Sequence, residues 1–209
     1  MTESREAIRQ LTEAGASLAQ RGWLSGTSGN LSATLSLEPL HLVITSSGQN
    51  KGNLTPSSFV EVDDGGHVIE GTGRPSAETS LHRIIVKRKR AGAVFHVHST
   101  WATVLSGLYA EQGGINITGY EMLKGLAGIS THEHTEWLPI LENSQNYIEL
   151  STKLDSLLIE NPNIHGVLLR GHGIYTWGAD VDEAQRHVEI LEFLLEAIGR
   201  DHLIRGTRP

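Results

Sequence analysis

The chain has 209 residues, 38% of them hydrophobic and 20% charged, with no low-complexity tract, so it is long enough to bury a sizeable core. It has no cysteine, which excludes disulfides and thiolate metal sites and leaves His, Asp and Glu as the possible ligands. A formal net charge of −7 argues against nonspecific binding to nucleic acid or anionic membranes as the main task. It leaves room for an anionic small substrate, since local cations or a metal reverse the local field.

The N-terminus is charged throughout and has no apolar leader-like run, and no stretch approaches a membrane span. The expectation is a soluble, cytoplasmic protein. Glu3 to Arg21 carries Ile8, Leu11, Ala14 and Leu18 at roughly helical spacing, and Gly22 stops the run. Gly26 to Asn30 reads as a turn, followed by strands at Leu31–Leu35 and Leu40–Thr45. Phe59–Val62 and His67–Glu70 read as a hairpin around Asp64-Gly65-Gly66. Glu78 to Arg90 is predicted as a helix with Ser76 as its cap and a basic last turn.

Ala93–Val97 is a predicted strand and Thr100–Leu108 a short helix. Glu121–Leu126 stays open between helix and loop, and Leu138–Leu141 reads as a short strand. Tyr147–Glu160 is helical up to Asn161-Pro162. Gly166–Leu169 and Ile174–Trp177 are strands around "RGHG", and Ala179 to Gly199 is a long amphipathic helix. Adjacent strand pairs mix with strand–helix alternation, and no repeat or linker interrupts them. That order predicts one α/β layered domain over residues 1–209, not a strictly parallel sheet.

Three features carry chemistry. The first is "HVHS". Residues i and i+2 of a strand point to one face, so His96 and His98 can converge on one point. A third imidazole, His172, sits between glycines in "RGHGIYTWG", where the backbone can approach a site closely. Three neutral imidazoles with an open position suit catalytic zinc, although such donors also accept iron, cobalt or manganese. The second feature is a set of small, hydroxyl-rich loops, "GTSGN", "TSSGQNKG" and "GTGRPSAE". Each alone is an ordinary turn; together they suggest an anion site, the last at a helix N-terminus. None matches a Walker loop or a dinucleotide fingerprint. The third is a pair of carboxylates. Glu78 follows the third loop, and Glu121 lies in the Gly-bracketed, mostly apolar "GYEMLKG", where a raised pKa would suit proton transfer near neutrality.

The segments "GTSGNLS", "TSSGQNKG", "RPSAETSLH", "AVFHVHS" and "LLRGHGIYTWG", in this order, resemble the class II aldolase/adducin family from about Gly26 to the last helix. The resemblance implies an α/β/α sandwich on a mostly antiparallel central sheet and a homotetramer with sites at subunit interfaces. It implies one zinc ion per subunit on His96, His98 and His172. It implies a phosphate pocket at Gly29, Asn30, Ser47, Gly48 and Ser76. Position 77, often a second Ser in the sugar-phosphate aldolases, is Ala77 here, which weakens that contact. "GYEMLKGL" and "WLPILENSQN" are most similar to a dehydratase branch acting on a methylthio-substituted 2-ketose 1-phosphate, in which Glu121 would be the acid/base. Glu78 stands where the aldolases keep their base and sometimes a zinc ligand, so aldol cleavage of fuculose or ribulose phosphates is the alternative. A non-catalytic adducin-like module is disfavoured by the complete histidine set. His132, His134 and His165 fall on no family ligand position.

Overall fold

The computed structural model describes residues 2–206. Nine strands form one sheet in the order β4-β3-β2-β1-β5-β9-β8-β7-β6. They span Asn30–Leu37 (β1), Leu40–Thr45 (β2), Phe59–Asp63 (β3), Val68–Glu70 (β4), Ala93–Val97 (β5), Gly114–Ile117 (β6), Glu136–Leu141 (β7), Gly166–Leu169 (β8) and Gly173–Gly178 (β9). Neighbours pair antiparallel except β7 with β8. The helices are Thr2–Gln20 (α1), Thr79–Lys89 (α2), Thr100–Leu108 (α3), Tyr147–Glu160 (α4) and Val181–Arg205 (α5).

The two faces of the sheet bury two separate apolar layers. One joins Leu11 and Leu18 of α1, Leu105 of α3 and Leu191 and Leu195 of α5 to Phe95 and Val97. The other joins Leu81 and Ile85 of α2 and Leu150 and Leu154 of α4 to Val94 and Tyr175. Alternation along β5 distributes its side chains between the layers. This is the expected α/β/α sandwich on a mostly antiparallel sheet. Complete burial of a Leu or Phe in such a layer is worth roughly 1.5–3 kcal/mol, so the layers fix strand register as well as stability.

Several boundaries differ from the sequence reading. β1 begins at Asn30, inside the expected turn, because Asn30 pairs in register with His96. The last helix runs six residues beyond Gly199, to Arg205. Gly199 packs against the Trp101 ring, so this glycine makes room for a neighbour within the helix and does not end it. β6 has no counterpart in the sequence reading, since Gly114–Ile117 is too short to show alternation. Glu121–Gly125 forms a 3₁₀ turn. Ser76 is not the N-cap of α2: that position is Glu78, and the Ser76 hydroxyl accepts from the Glu78 N–H at 3.2 Å.

Candidate active site

Three neighbouring strands place a row of polar residues on the α2 face of the sheet. Asn30 of β1 pairs with His96 of β5, and His96 pairs with Tyr175 of β9. The Tyr175 ring stacks on His96, with centroids 4.0 Å apart and planes 9° from parallel. His98 follows one step past the end of β5, and its N–H is bound by Trp23 O at 2.8 Å. His172 precedes β9 in a turn pinned by Thr103, whose hydroxyl donates to His172 O at 3.0 Å. Two glycines allow this crowding. A Cβ on Gly29 would lie 2.6 Å from His96 O, and one on Gly173 would collide with Val97 O.

His96, His98 and His172 therefore meet, with one ligand atom from each lying within 4.8 Å of the others. His96 Nε2 is 2.8 Å from His98 Nε2 and 3.4 Å from His172 Nε2. His96 Nδ1–H donates to Ile174 O at 3.0 Å, which leaves the Nε2 lone pair facing the other two rings. Burial pushes all three imidazoles below their ordinary value, His98 to about 4, so neutral rings are favoured. Neutral imidazoles with converging nitrogens, the tautomer of His96 fixed by Ile174 O, fit a divalent metal.

Glu78 joins this cluster. Its carboxylate oxygens lie 3.6 Å from His96 Nε2 and 3.7 Å from His172 Nε2. Asn30 holds it, donating from Nδ2 to Glu78 Oε2 at 2.6 Å and to Ser76 Oγ at 3.2 Å. The Asn30 carbonyl oxygen accepts from His82 Nε2–H, and His82 Nδ1 accepts from the Ser32 hydroxyl at 2.7 Å. Burial drives the His82 pKa down to about 3, so the ring stays neutral and the relay Ser32–His82–Asn30–Glu78 has one direction.

The loop residues expected to bind phosphate gather at the same end of the sheet. Ser46 bridges Pro75, and the Ser47 N–H donates to Arg74 O at 2.8 Å. That N–H is therefore committed to the fold, and Ser47 presents its hydroxyl rather than its backbone. Gly48 adopts φ +78°, an exposed left-handed turn suited to glycine. Beneath these loops Lys51 is 2% exposed, with Nζ donating to Thr27 O at 2.7 Å. Burial lowers its pKa to about 8, against the pull of the Glu78 charge.

Glu121 is not drawn into the cluster. Its side chain is 72% exposed, held by Lys124 at 2.7 Å with His132 at 3.7 Å. The Lys124 hydrogen bond and charge hold its carboxyl below the usual range, the opposite of the raised value expected from its apolar neighbours. Those neighbours, Leu123 and Leu126, are buried on the other side of the 3₁₀ turn. His132 and His134 lie outside the metal-type cluster, as does His165.

Sequence reasoning missed His82, Lys51 and Tyr175. Only His82 had a readable signal, at i+4 from Glu78 on one helix face. Lys51 looked like a surface charge in a loop, and the place of Tyr175 depends on strand register.

Residues 9–198 match the model of the "Class II Aldolase and Adducin N-terminal domain". The chain is 43% identical over 190 residues to a methylthioribulose-1-phosphate dehydratase of Stenotrophomonas maltophilia (strain R551-3), covering 90% of this chain and 88% of the relative. It is 40% identical over 205 residues to the protein of the same name from Methylococcus capsulatus, covering 98% of each. Among solved structures it is similar to YgbL of Escherichia coli, a putative aldolase/epimerase/decarboxylase, with TM-score 0.80 and 27% identity over 100% of this chain and 93% of the other. It is also similar to an l-fuculose-1-phosphate aldolase of Thermus thermophilus, with TM-score 0.77 and 25% identity over 98% of this chain and 99% of the other. With the match running through all three clustered histidines and all three hydroxyl-rich loops, the chain belongs to the class II aldolase and adducin family.

Proposed function

We propose that the protein is a hydro-lyase of methionine salvage that converts 5-methylthioribulose 1-phosphate to 5-methylthio-2,3-dioxopentyl phosphate and water. The observation carrying this reading is the 40–43% identity to dehydratases of that name over at least nine-tenths of this chain. His96, His98 and His172 would hold one Zn²⁺ per subunit. When bound, the metal supplies Lewis-acid polarisation of the substrate's carbonyl end.

This chain's own groups would do the rest. Gly29, Asn30, Ser47, Gly48 and Ser76 grip the C1 phosphate and so fix the reacting carbons. Glu121 removes the C3 proton and returns a proton to the departing C4 hydroxyl. The C3–H and C4–O bonds break, water leaves, and the resulting enol tautomerises to the 2,3-diketone. Because Glu121 is solvent-exposed in the single chain, its approach to substrate is completed by assembly as a homotetramer or by movement of its turn. The whole chain acts as one cytoplasmic catalytic domain.

Glu78 favours a second reading. A carboxylate 3.6–3.7 Å from two of the histidines is placed for the base of an aldol cleavage. The deciding experiment offers the purified enzyme methylthioribulose 1-phosphate, fuculose 1-phosphate and ribulose phosphates side by side. Diketone formation from the first alone supports dehydration; C–C cleavage of the others, without diketone formation, replaces it with an aldolase.

A further inference from the structure

A second cluster of histidines lies away from the candidate metal site, between β7, β8 and α5. Glu136 opens β7 and is 1% exposed. Its carboxylate accepts from His165 Nδ1 at 3.0 Å and lies 3.0 Å from His134 Nε2. The other nitrogen of His165 is 2.9 Å from Ala127 O. Both ring nitrogens of His165 thus face acceptors, so the ring carries both protons. Burial opposes that charge, but the Glu136 hydrogen bond and charge outweigh it and raise the pKa. The ring of His187, on α5, stands edge-on to His165 with centroids 5.3 Å apart. Its Nδ1–H donates to Trp177 O at 2.7 Å, and its Nε2 accepts the Ala127 N–H at 3.0 Å. His187 is therefore neutral, and burial lowers its pKa. Lys89 of α2 and Glu183 and Arg186 of α5 are the other charged groups facing this pair.

One residue, Ala127, is thus gripped on both sides by two histidines in opposite protonation states. It lies two residues past the turn that carries Glu121. That turn is docked by buried Leu123 and Leu126, by Gly125 packed on Ile190, and by Arg186 Nε–H donating to Gly125 O at 3.0 Å. Among the described residues nothing comparable holds Glu121 itself, whose partners are the exposed side chains of Lys124 and His132.

We infer that His165 and His187 are positioning residues that clamp Ala127 and so set the direction in which the Glu121 turn projects. The catalytic part of this inference rests on the proposed role of Glu121; the clamp itself does not.

The two side chains allow one matched test. A Gln amide reaches the position of histidine Nε2, and an Asn amide that of Nδ1. At both sites Gln keeps the Ala127 contact while Asn keeps only the contact on the far side. The metal-loaded enzyme is compared as His165→Gln, His165→Asn, His187→Gln and His187→Asn, by hydrogen exchange of amides 119–129 and by turnover. The Asn variants should speed exchange in that segment relative to the rest of the chain and lower kcat by about ten- to a hundredfold, the cost of ~1 Å misplacement. Metal content and KM should hold, and the Gln variants should stay near wild type. Exchange that is unchanged, or equal in the Gln and Asn variants, overturns the clamp. In a Glu121→Gln background His165→Asn should cost no further turnover; the same tenfold loss there overturns action through Glu121. If Glu121→Gln alone turns over normally, the proposed function falls, while the exchange contrast still decides the clamp. Should the His165 variants fail to fold, the His187 pair carries the same contrast.

Discussion

The two carboxylates of this protein sit in opposite surroundings. Glu78 is 8% exposed, tied to Asn30 and within 4 Å of two histidines. Glu121 projects into solvent from a 3₁₀ turn and pairs with Lys124. The Glu78 region is built for fixed geometry: strand register aligns Asn30, His96 and Tyr175, and a buried relay orients the amide. The Glu121 region is built to present a group outward, with its docking contacts on the opposite side of the turn. A preorganised centre supplies electrostatics at no cost of reorganisation during reaction, whereas a mobile proton carrier must reach substrate and release it. On the proposed function the two regions divide these tasks.

The contrast breaks most completely at the histidines. His98→Ala should abolish turnover and lower metal affinity by more than the ~10- to 100-fold that outer-shell partners are worth. Metal analysis after dialysis checks this, with circular dichroism showing that the fold survives. Full occupancy in the variant would remove His98 from the ligand set. The next largest effect lies at the carboxylates. Glu121→Gln should lower kcat on methylthioribulose 1-phosphate by about 10²–10⁴ with metal still bound. Glu78→Gln should cost less. A dead Glu78→Gln beside an active Glu121→Gln would transfer the acid/base role to the buried region and favour aldol cleavage.

A smaller effect is expected at the phosphate loops. Ser47 offers a hydroxyl, because its N–H is spent on Arg74 O. Hydrogen bonds to charged groups are worth about 1.5–3 kcal/mol, so Ser47→Ala should raise KM about tenfold or more while leaving kcat near normal. The control is a dephosphorylated analogue. An equal penalty on that analogue would place Ser47 outside the phosphate site.

The buried region was far more legible in sequence than the exposed one, for a physical reason. His96 and His98 announce their convergence through a period of two, and the apolar run Ala93-Val94-Phe95 before them marks the strand Ala93–Val97. The meeting of the three histidines, the sandwich and the helix Tyr147–Glu160 emerge as expected. What local pattern could not reveal was the side of a turn. Glu121 lies among apolar residues in sequence, yet Leu123 and Leu126 face inward and Glu121 outward, so its pKa moves down. Lys51 presents the reverse case, a loop lysine that tertiary packing buries beneath its own loop. The His165–Ala127–His187 arrangement joins residues 38 and 60 positions apart, beyond any spacing rule.

The subtlest expected effect is the response of the buried relay to acid. His82 is fully enclosed, and its pKa falls from an ordinary 6.5 to about 3 because burial disfavours the charged ring. A depressed folded-state pKa means that the unfolded chain binds the proton first. The stability contributed by neutral His82 is therefore complete above pH 6.5 and declines as pH falls toward about 3. His82→Gln keeps an N–H donor where Nε2 donates to Asn30 but cannot take up a proton. It should be less stable than the wild type at pH 8, having lost the imidazole acceptor for Ser32 and the edge contact with Tyr175. The deficit should shrink on acidification, because His96 and His98 titrate in both proteins and cancel from the difference. Urea midpoints for the two metal-free proteins at pH 8, 6 and 4.5 measure this. A gap that stays constant over that range would mean that His82 is charged in the fold, and that the orientation of Asn30, with the hold on Glu78 that follows from it, is set by other contacts.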